Sequence, residues 1–342
     1  MAAAEALSAW HALSSDIATA RAELSAAAPD AACAAEAEAY LMRVTTGCLD
    51  DAFLSHLRTE NGLTRALPIK GGPNPDYLMW YAAIDPTHRY RLEGCLNESE
   101  RAAIGLYSFS ANGTALLAGY VAFNRLTTST DGCFSLELRA DAKGAGMLAL
   151  TPSCRVVLVR ILHRAPMGRP CSLTLVGGQA RLGLEQAAGS SERALARVGQ
   201  ATLRAVRQFL EWSRQTSAHP NSFIAPPPSL AEEVRGDPDT NYGLGYYELS
   251  EGEWLEVLIP AGLSGYWSLH AYNHWCESLP GAGVHDLSAV ADADGRVRVR
   301  IGPTLARGSA NCIDTLGRRR GLLIFRAIGA SPTELPQAHL CQ

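Results

Sequence analysis

Three short patterns occur twice in this chain, in the same order and at similar separations, and that repetition constrains its fold more than any other feature. Pro75-Asp76 stands ahead of the aromatic run Tyr77-Leu78-Met79-Trp80-Tyr81, and Pro238-Asp239 stands ahead of Tyr242, Tyr246 and Tyr247. Tyr107-Ser108-Phe109-Ser110-Ala111 corresponds to Trp267-Ser268-Leu269-His270-Ala271, and Asp131-Gly132 before Phe134 and Leu136 corresponds to Asp294-Gly295 before Val297 and Val299. Each pattern has a structural cause: a turn started by an Asp side chain, an aromatic-led strand, and an Asp-Gly turn feeding a strand. A unit that recurs in this way predicts two copies of one β architecture.

Length agrees, since the chain has 342 residues and single cores rarely keep growing past roughly 250 to 300. Apolar residues make up 47% and charged residues 19%, the balance of a chain that folds. The net charge of −4 and the short basic run Arg318-Arg319-Arg320 offer no surface for phosphates, so nucleic acid is not an expected partner.

The segment from 1 to 66 is alanine-rich, with Leu7, Trp10, Leu13, Ile17 and Leu24 at the spacing of one helix face. The turn formers from Gly71 to Asp76 open a first β unit over 67–180, with strands expected at 89–92, 104–111, 133–138, 156–162 and 171–176. A connecting helix near 191–215 carries Leu195, Val198, Val206, Phe209 and Leu210 on one stripe. His219-Pro220 stops it, and Pro226-Pro227-Pro228 marks a boundary within the 181–230 connector. The second β unit spans 231–330, its clearest strand being the alternating Arg296-Val297-Arg298-Val299-Arg300-Ile301, and 331–342 is a tail.

The nine cysteines are scattered, odd in number and without a C-x-x-C pair, so they read as reduced core thiols. The first residues lack the basic and apolar regions of a signal peptide, and no run of about 18 apolar residues exists to span a bilayer. A cytoplasmic protein without a membrane partner is expected.

At several of these positions the sequence resembles the bacterial family catalogued as domain of unknown function 1214. The resemblance lies in Gly72-Pro73-Asn74-Pro75-Asp76-Tyr77, Ile84-Asp85, Tyr90-Arg91-Leu92-Glu93-Gly94, Gly236-Asp237-Pro238-Asp239 and Leu244-Gly245-Tyr246-Tyr247-Glu248-Leu249. It continues through Tyr266-Trp267, Tyr272-Asn273, Trp275, Glu277-Ser278-Leu279, Asn311, Ile313-Asp314-Thr315, Gly317, Gly321 and Phe325-Arg326. The resemblance implies jelly-roll-like β units and no established activity. Two departures stand out: Cys312 follows Asn311 where the family tends to have Trp, and Gly146-Met147-Leu148 replaces a similar Asn-Trp element.

The segment from Tyr266 to Glu277 is the richest in functional groups. On a strand, Trp267, Leu269, Ala271, Asn273 and Trp275 share one face and Ser268, His270, Tyr272 and His274 the other. Two histidines four apart on a strand sit about 13 Å from each other, too far to share a metal. Each can act alone as a proton carrier, or be an ordinary hydrogen-bonded histidine. Asp314 is a candidate acid or base and equally a turn starter. Asn74, Asn273 and Asn311 can orient a ligand through their amides, and Trp275 and Tyr246 can supply flat walls. The nucleophile-elbow, P-loop and H-E-x-x-H patterns are absent.

The expectation is therefore a mainly β protein of two related jelly-roll-like β-sandwich units with an N-terminal helical segment and a connecting helix. It binds a small organic or sugar-like ligand in a cleft formed by the β units, without cofactor or metal. His270, His274, Glu277 and Asp314 are the acid/base candidates, and Asn74, Tyr246, Asn273, Trp275 and Asn311 the ligand-binding ones. The alternative is a non-catalytic binding or assembly protein, and homo-oligomerisation stays open.

Overall fold

The computed structural model describes residues 2–54, 61–65, 72–110, 115–122, 129–178, 190–226, 237–305, 310–329 and 334–342. Gly71, Ala111, Pro227, Pro228 and Gly236 lie outside the described residues.

Two helices, α1 (Ala2–Ala27) and α2 (Ala31–Leu54), form where the sequence predicts a helical segment. Pro29 separates them, and the Asp30 carboxylate accepts the Cys33 amide at 2.8 Å to cap the second. Leu13 and Leu24 are buried as the stripe predicts, whereas Trp10 is exposed. Helix α3 (Ser190–Ser217) buries Leu195, Val198, Val206 and Phe209 against these two. No helix among the described residues is long and apolar enough to cross a membrane.

The first unit has eight strands: β1 (Tyr77–Ala83), β2 (Tyr90–Cys95), β3 (Arg101–Phe109), β4 (Ala115–Ala122), β5 (Cys133–Arg139), β6 (Met147–Ala149), β7 (Val156–Leu162) and β8 (Ser172–Gly177). After the short β9 (Ser222–Ile224), the second unit repeats them as β10 (Thr240–Glu248), β11 (Trp254–Leu258), β12 (Trp267–Tyr272), β13 (Ser278–His285), β14 (Arg298–Gly302), β15 (Cys312–Asp314), β16 (Arg320–Ile328) and β17 (Gln337–Cys341).

The repeat is a repeat of topology. One sheet runs β1-β7-β3-β4 and its counterpart β10-β16-β12-β13, with β9 added at the edge; the other runs β6-β5-β2-β8 and its counterpart β15-β14-β11-β17. Even the parallel pair recurs, β5 with β6 and β14 with β15. Each unit is thus a two-sheet, eight-stranded jelly roll around its own core, with Leu92, Ile104, Leu136 and Val159 in the first and Leu255, Leu269, Val299 and Phe325 in the second.

Two of the sequence anchors are structurally equivalent. Asn74 and Asp237 each accept, on the backbone oxygen, the amide three residues on and, on the side chain, the amide two residues on. Gly132 and Gly295 adopt matching left-handed backbones, with φ of 76° and 77°. The middle anchor needs a correction. Arg101 lies opposite Leu162, and Tyr266 receives the amide of Ile328, so Arg101 matches Tyr266 and Tyr107 matches Tyr272, not Trp267. Pairing with β7 and β16 sets that register, and an aromatic-Ser pattern is too common to fix it.

Three further expectations change. The 331–342 tail supplies β17, which pairs with β11 and completes the second unit. The thiols are not all free: Cys95 and Cys133 sit directly opposite on β2 and β5 and form a disulfide, while seven others are free. The strand expected through Trp275 ends at Tyr272, so alternation stops there.

Candidate functional site: a polar layer between the two units

Alternation along β7 decides what each face of its sheet carries. Val157, Val159 and Ile161 enter the first core, so Arg160 must point outward. The same parity on β16 and β12 sends Leu323, Phe325, Leu269 and Ala271 inward, and Arg326, Ser268 and His270 outward. The two outward faces are largely buried, because the upper part of the second sheet is covered by the helices and the rest meets the first unit.

Contacts from both units converge in this layer. The Tyr266 hydroxyl donates to Asp76 at 2.8 Å, accepts from the Asn74 amide at 2.8 Å and lies 2.7 Å from the Ser268 hydroxyl. His270 Nε2 stands 3.5 Å from the Asp76 carboxylate. Reaching the other way, Arg101 pairs with Asp237 and Asp239, and the Tyr120 hydroxyl donates to Asp237. Each Asx-Pro-Asp turn therefore grips the opposite unit. Arg164 adds a third crossing, pairing with Glu100 of its own unit and Asp286 of the other while lying 5.1 Å from the Tyr266 ring.

Burial opposes charge on Asp76, but the partnership with His270 and the Tyr266 hydroxyl prevails and holds its carboxyl below the usual range. Burial dominates at His270 and lowers its proton affinity despite Asp76, so a neutral imidazole sits beside a carboxylate. Burial also works against the Arg101 charge, which Asp237 more than restores.

Among the described residues, His270 Nδ1 from the second unit is a buried polar atom of the layer without a hydrogen-bond partner, and the buried Tyr77 hydroxyl from the first has only the nearby Arg101 guanidinium to answer it. The Tyr77 ring meets the Tyr266 ring edge-on at 5.9 Å, which ties both atoms to the Tyr266–Asp76 cluster. Gly283 lies against the imidazole; a Cβ there would come within 2.6 Å of Nε2.

Among the residues expected from sequence, His270 and Asn74 meet in this layer, and the others do not join them. His274 and Tyr246 bond to each other, Nδ1 to hydroxyl at 2.8 Å, on the face under the helices. Trp275 is fully buried there, stacked on Tyr40 at 5.7 Å and donating to the Cys33 carbonyl at 2.8 Å, so it anchors the helices and walls no cleft. Asn273 holds the turn after β12 by two bonds to Glu277, whose carboxylate also pairs with Arg43 of α2. Asn311 clamps the Val290 backbone through both amide atoms, and Asp314 caps the Leu316 amide at 2.8 Å, both in the opposite sheet of the second unit. The four acid/base candidates therefore do not converge.

Asp76, Tyr266, Arg101, Arg160, Asp237 and Arg326 are among the members of the layer that sequence reasoning missed as site residues. A signal existed for Arg160 and Arg326: each is a charge set between apolar residues inside a strand, in Val159-Arg160-Ile161 and Phe325-Arg326-Ala327.

Fold and layer together define a double jelly-roll protein whose units meet through a buried polar face. A crystal structure of an uncharacterised protein from Burkholderia cenocepacia is similar over 99% of this chain and 99% of that one, with a TM-score of 0.87 and 24% identity, and so shares the fold. A protein from Vibrio parahaemolyticus aligns with 89% of this chain and 99% of its own, at 13% identity and a TM-score of 0.48. No protein-family model and no curated protein matches the chain.

Proposed function

We propose that the layer between the two jelly rolls seats a small organic ligand, and that the His270–Asp76 pair is its proton-handling group. The observation that carries this reading is the buried His270 Nδ1, which has no hydrogen-bond partner among the described residues, with the buried Tyr77 hydroxyl of the first unit, answered only by the nearby Arg101, as its counterpart. A buried donor or acceptor without a partner costs about 1–3 kcal/mol, and a ligand that bonds to both removes that cost. A neutral imidazole with one nitrogen turned to a carboxylate is also the state in which histidine can take up a proton during a reaction. Acid–base chemistry therefore belongs to His270 alone among the four acid/base candidates.

We also propose that the chain belongs to the domain of unknown function 1214 family, a reading that its motifs and its two jelly rolls support.

The test is thermal unfolding of the full chain against a metabolite collection, with His270→Gln in parallel. A compound that raises the parent's melting temperature and loses that effect in the variant supports the reading, because a ligand selective for the folded state must stabilise it. If no compound acts, or the shift persists in the variant, the layer is not the seat.

A further inference from the structure

We infer that the ligand of this layer is a small organic carboxylate held by Arg326, an inference that rests on the ligand-binding reading above. Arg326 is 4% exposed, and among the described residues no carboxylate lies within 4 Å of its guanidinium. It donates to the Tyr272 hydroxyl at 3.0 Å and to the Gly72 carbonyl at 2.7 Å. A guanidinium has five N–H donors, so these two bonds leave three over. The acids of the layer are engaged elsewhere: Asp237 and Asp239 with Arg101, Asp76 with Tyr266 and His270.

A buried charge without a counter-ion is costly and is retained where something else answers it. The surroundings point to the chemistry of that counter-ion. Ser268 and Tyr242 lie opposite Arg326 on the flanking strands β12 and β10, and His270 follows Ser268 on the same face. The Tyr242 and Tyr272 rings each stand 5.9 Å from the guanidinium carbon, and Ile324 is next on the same face. A planar guanidinium with donors to spare matches the two oxygens of a carboxylate in one plane. Aromatic and aliphatic neighbours suit an organic body, not a fully hydrated inorganic anion. His270 Nδ1, two residues on from Ser268 on the same face and without a partner among the described residues, can read a polar substituent of that body.

The experiment is isothermal titration of the full chain with acetate, succinate and benzoate, and with inorganic phosphate, glycerol and glucose as contrasts. Arg326→Met and Arg326→Lys accompany the parent, each checked for folding by circular dichroism. At least one carboxylate should bind the parent, weaken at least tenfold in Arg326→Met, and weaken in Arg326→Lys, which keeps the charge but loses the planar fork. Should Arg326→Met fail to fold, Arg326→Lys carries the comparison. Phosphate binding in place of every carboxylate overturns the carboxylate assignment. A neutral compound that needs His270 but is indifferent to Arg326 overturns this inference and leaves the ligand-binding reading standing. Absence of binding by all six probes overturns the inference too, while the metabolite screen on His270→Gln judges the broader reading separately.

Discussion

Arg160 and Arg326 hold the same place in the two halves of the chain, each donating to the hydroxyl of a tyrosine on the neighbouring strand, Tyr107 at 2.9 Å and Tyr272 at 3.0 Å. The correspondence extends to ring contacts of 5.7 and 5.9 Å with those same tyrosines. The repeated jelly-roll topology thus places a pair of buried cations in the layer between the units, and the Asx-Pro-Asp turns differ around them. One has Asn74 with Asp76, facing Tyr266 and His270; the other has Asp237 with Asp239, facing Arg101.

That difference separates a structural arginine from a candidate binding one. Arg101→Met leaves the buried Asp237 without its cation and should destabilise the chain by about 3–5 kcal/mol. Arg326→Met removes a cation that no carboxylate answers among the described residues, and should cost less, about 1–3 kcal/mol for the acceptors it leaves at Tyr272 and Gly72. Urea unfolding of both variants checks the contrast; equal losses would mean that Arg326 is as structural as Arg101.

Two glycines of the second sheet carry close approaches, Gly321 on its core face beside Tyr247 and Gly283 on the face turned to the layer, opposite His270. A Cβ on Gly321 would collide with the Tyr272 backbone oxygen, which has nowhere to go, so Gly321→Ala should cost roughly 3 kcal/mol. On Gly283 the same Cβ meets the His270 ring, a side chain that can turn. Gly283→Ala should therefore fold with a smaller loss but shift the His270 imidazole signals in an NMR spectrum. Unchanged imidazole signals would contradict the packing described.

Much of this fold is legible in sequence, because turn chemistry and strand alternation are local. Pro75-Asp76, Asp131-Gly132 and their copies read correctly as turns that open strands. The site is far less legible, since it depends on which faces of two sheets meet. Asp76 reads as the residue whose side chain starts the turn, but the Asn74 side chain does that by accepting the Asp76 amide, and the Asp76 carboxylate answers a tyrosine and a histidine far along the chain. The helical cover on the second sheet likewise decides that Trp275, past the end of β12, packs under helices. Cross-strand register, invisible in cysteine spacing, pairs Cys95 with Cys133.

Acid should weaken the helical cover through His274. Burial pushes its pKa down to about 4 from the ordinary 6.5. Between those values the unfolded chain takes up a proton that the folded chain refuses, so stability is full above pH 6.5 and declines as pH falls toward 4. The loss is on the order of 3 kcal/mol. His274→Gln should flatten that part of the profile relative to the parent, measured as urea unfolding at pH 7.5 and 4.5; an unchanged slope would assign the effect elsewhere.

The disulfide predicts a thiol count. Denatured, unreduced protein should titrate seven thiols, rising to nine after reduction. With its cysteines 38 positions apart, the bond should contribute roughly 3–4 kcal/mol by loop closure, so Cys95→Ser with Cys133→Ser should lower stability by that amount. Nine thiols in protein trapped directly from cells would restore the reducing compartment that the scattered cysteines suggest.

The most direct test is a crystal structure of the full chain with the compound that gives the largest His270-dependent thermal shift. The molecule should lie between the jelly rolls, hydrogen-bonded to His270 Nδ1, with an acidic group on Arg326. Density instead in the open groove over the disulfide, lined by Glu93, Ser135 and Thr174, with the polar layer unchanged, would contradict the account.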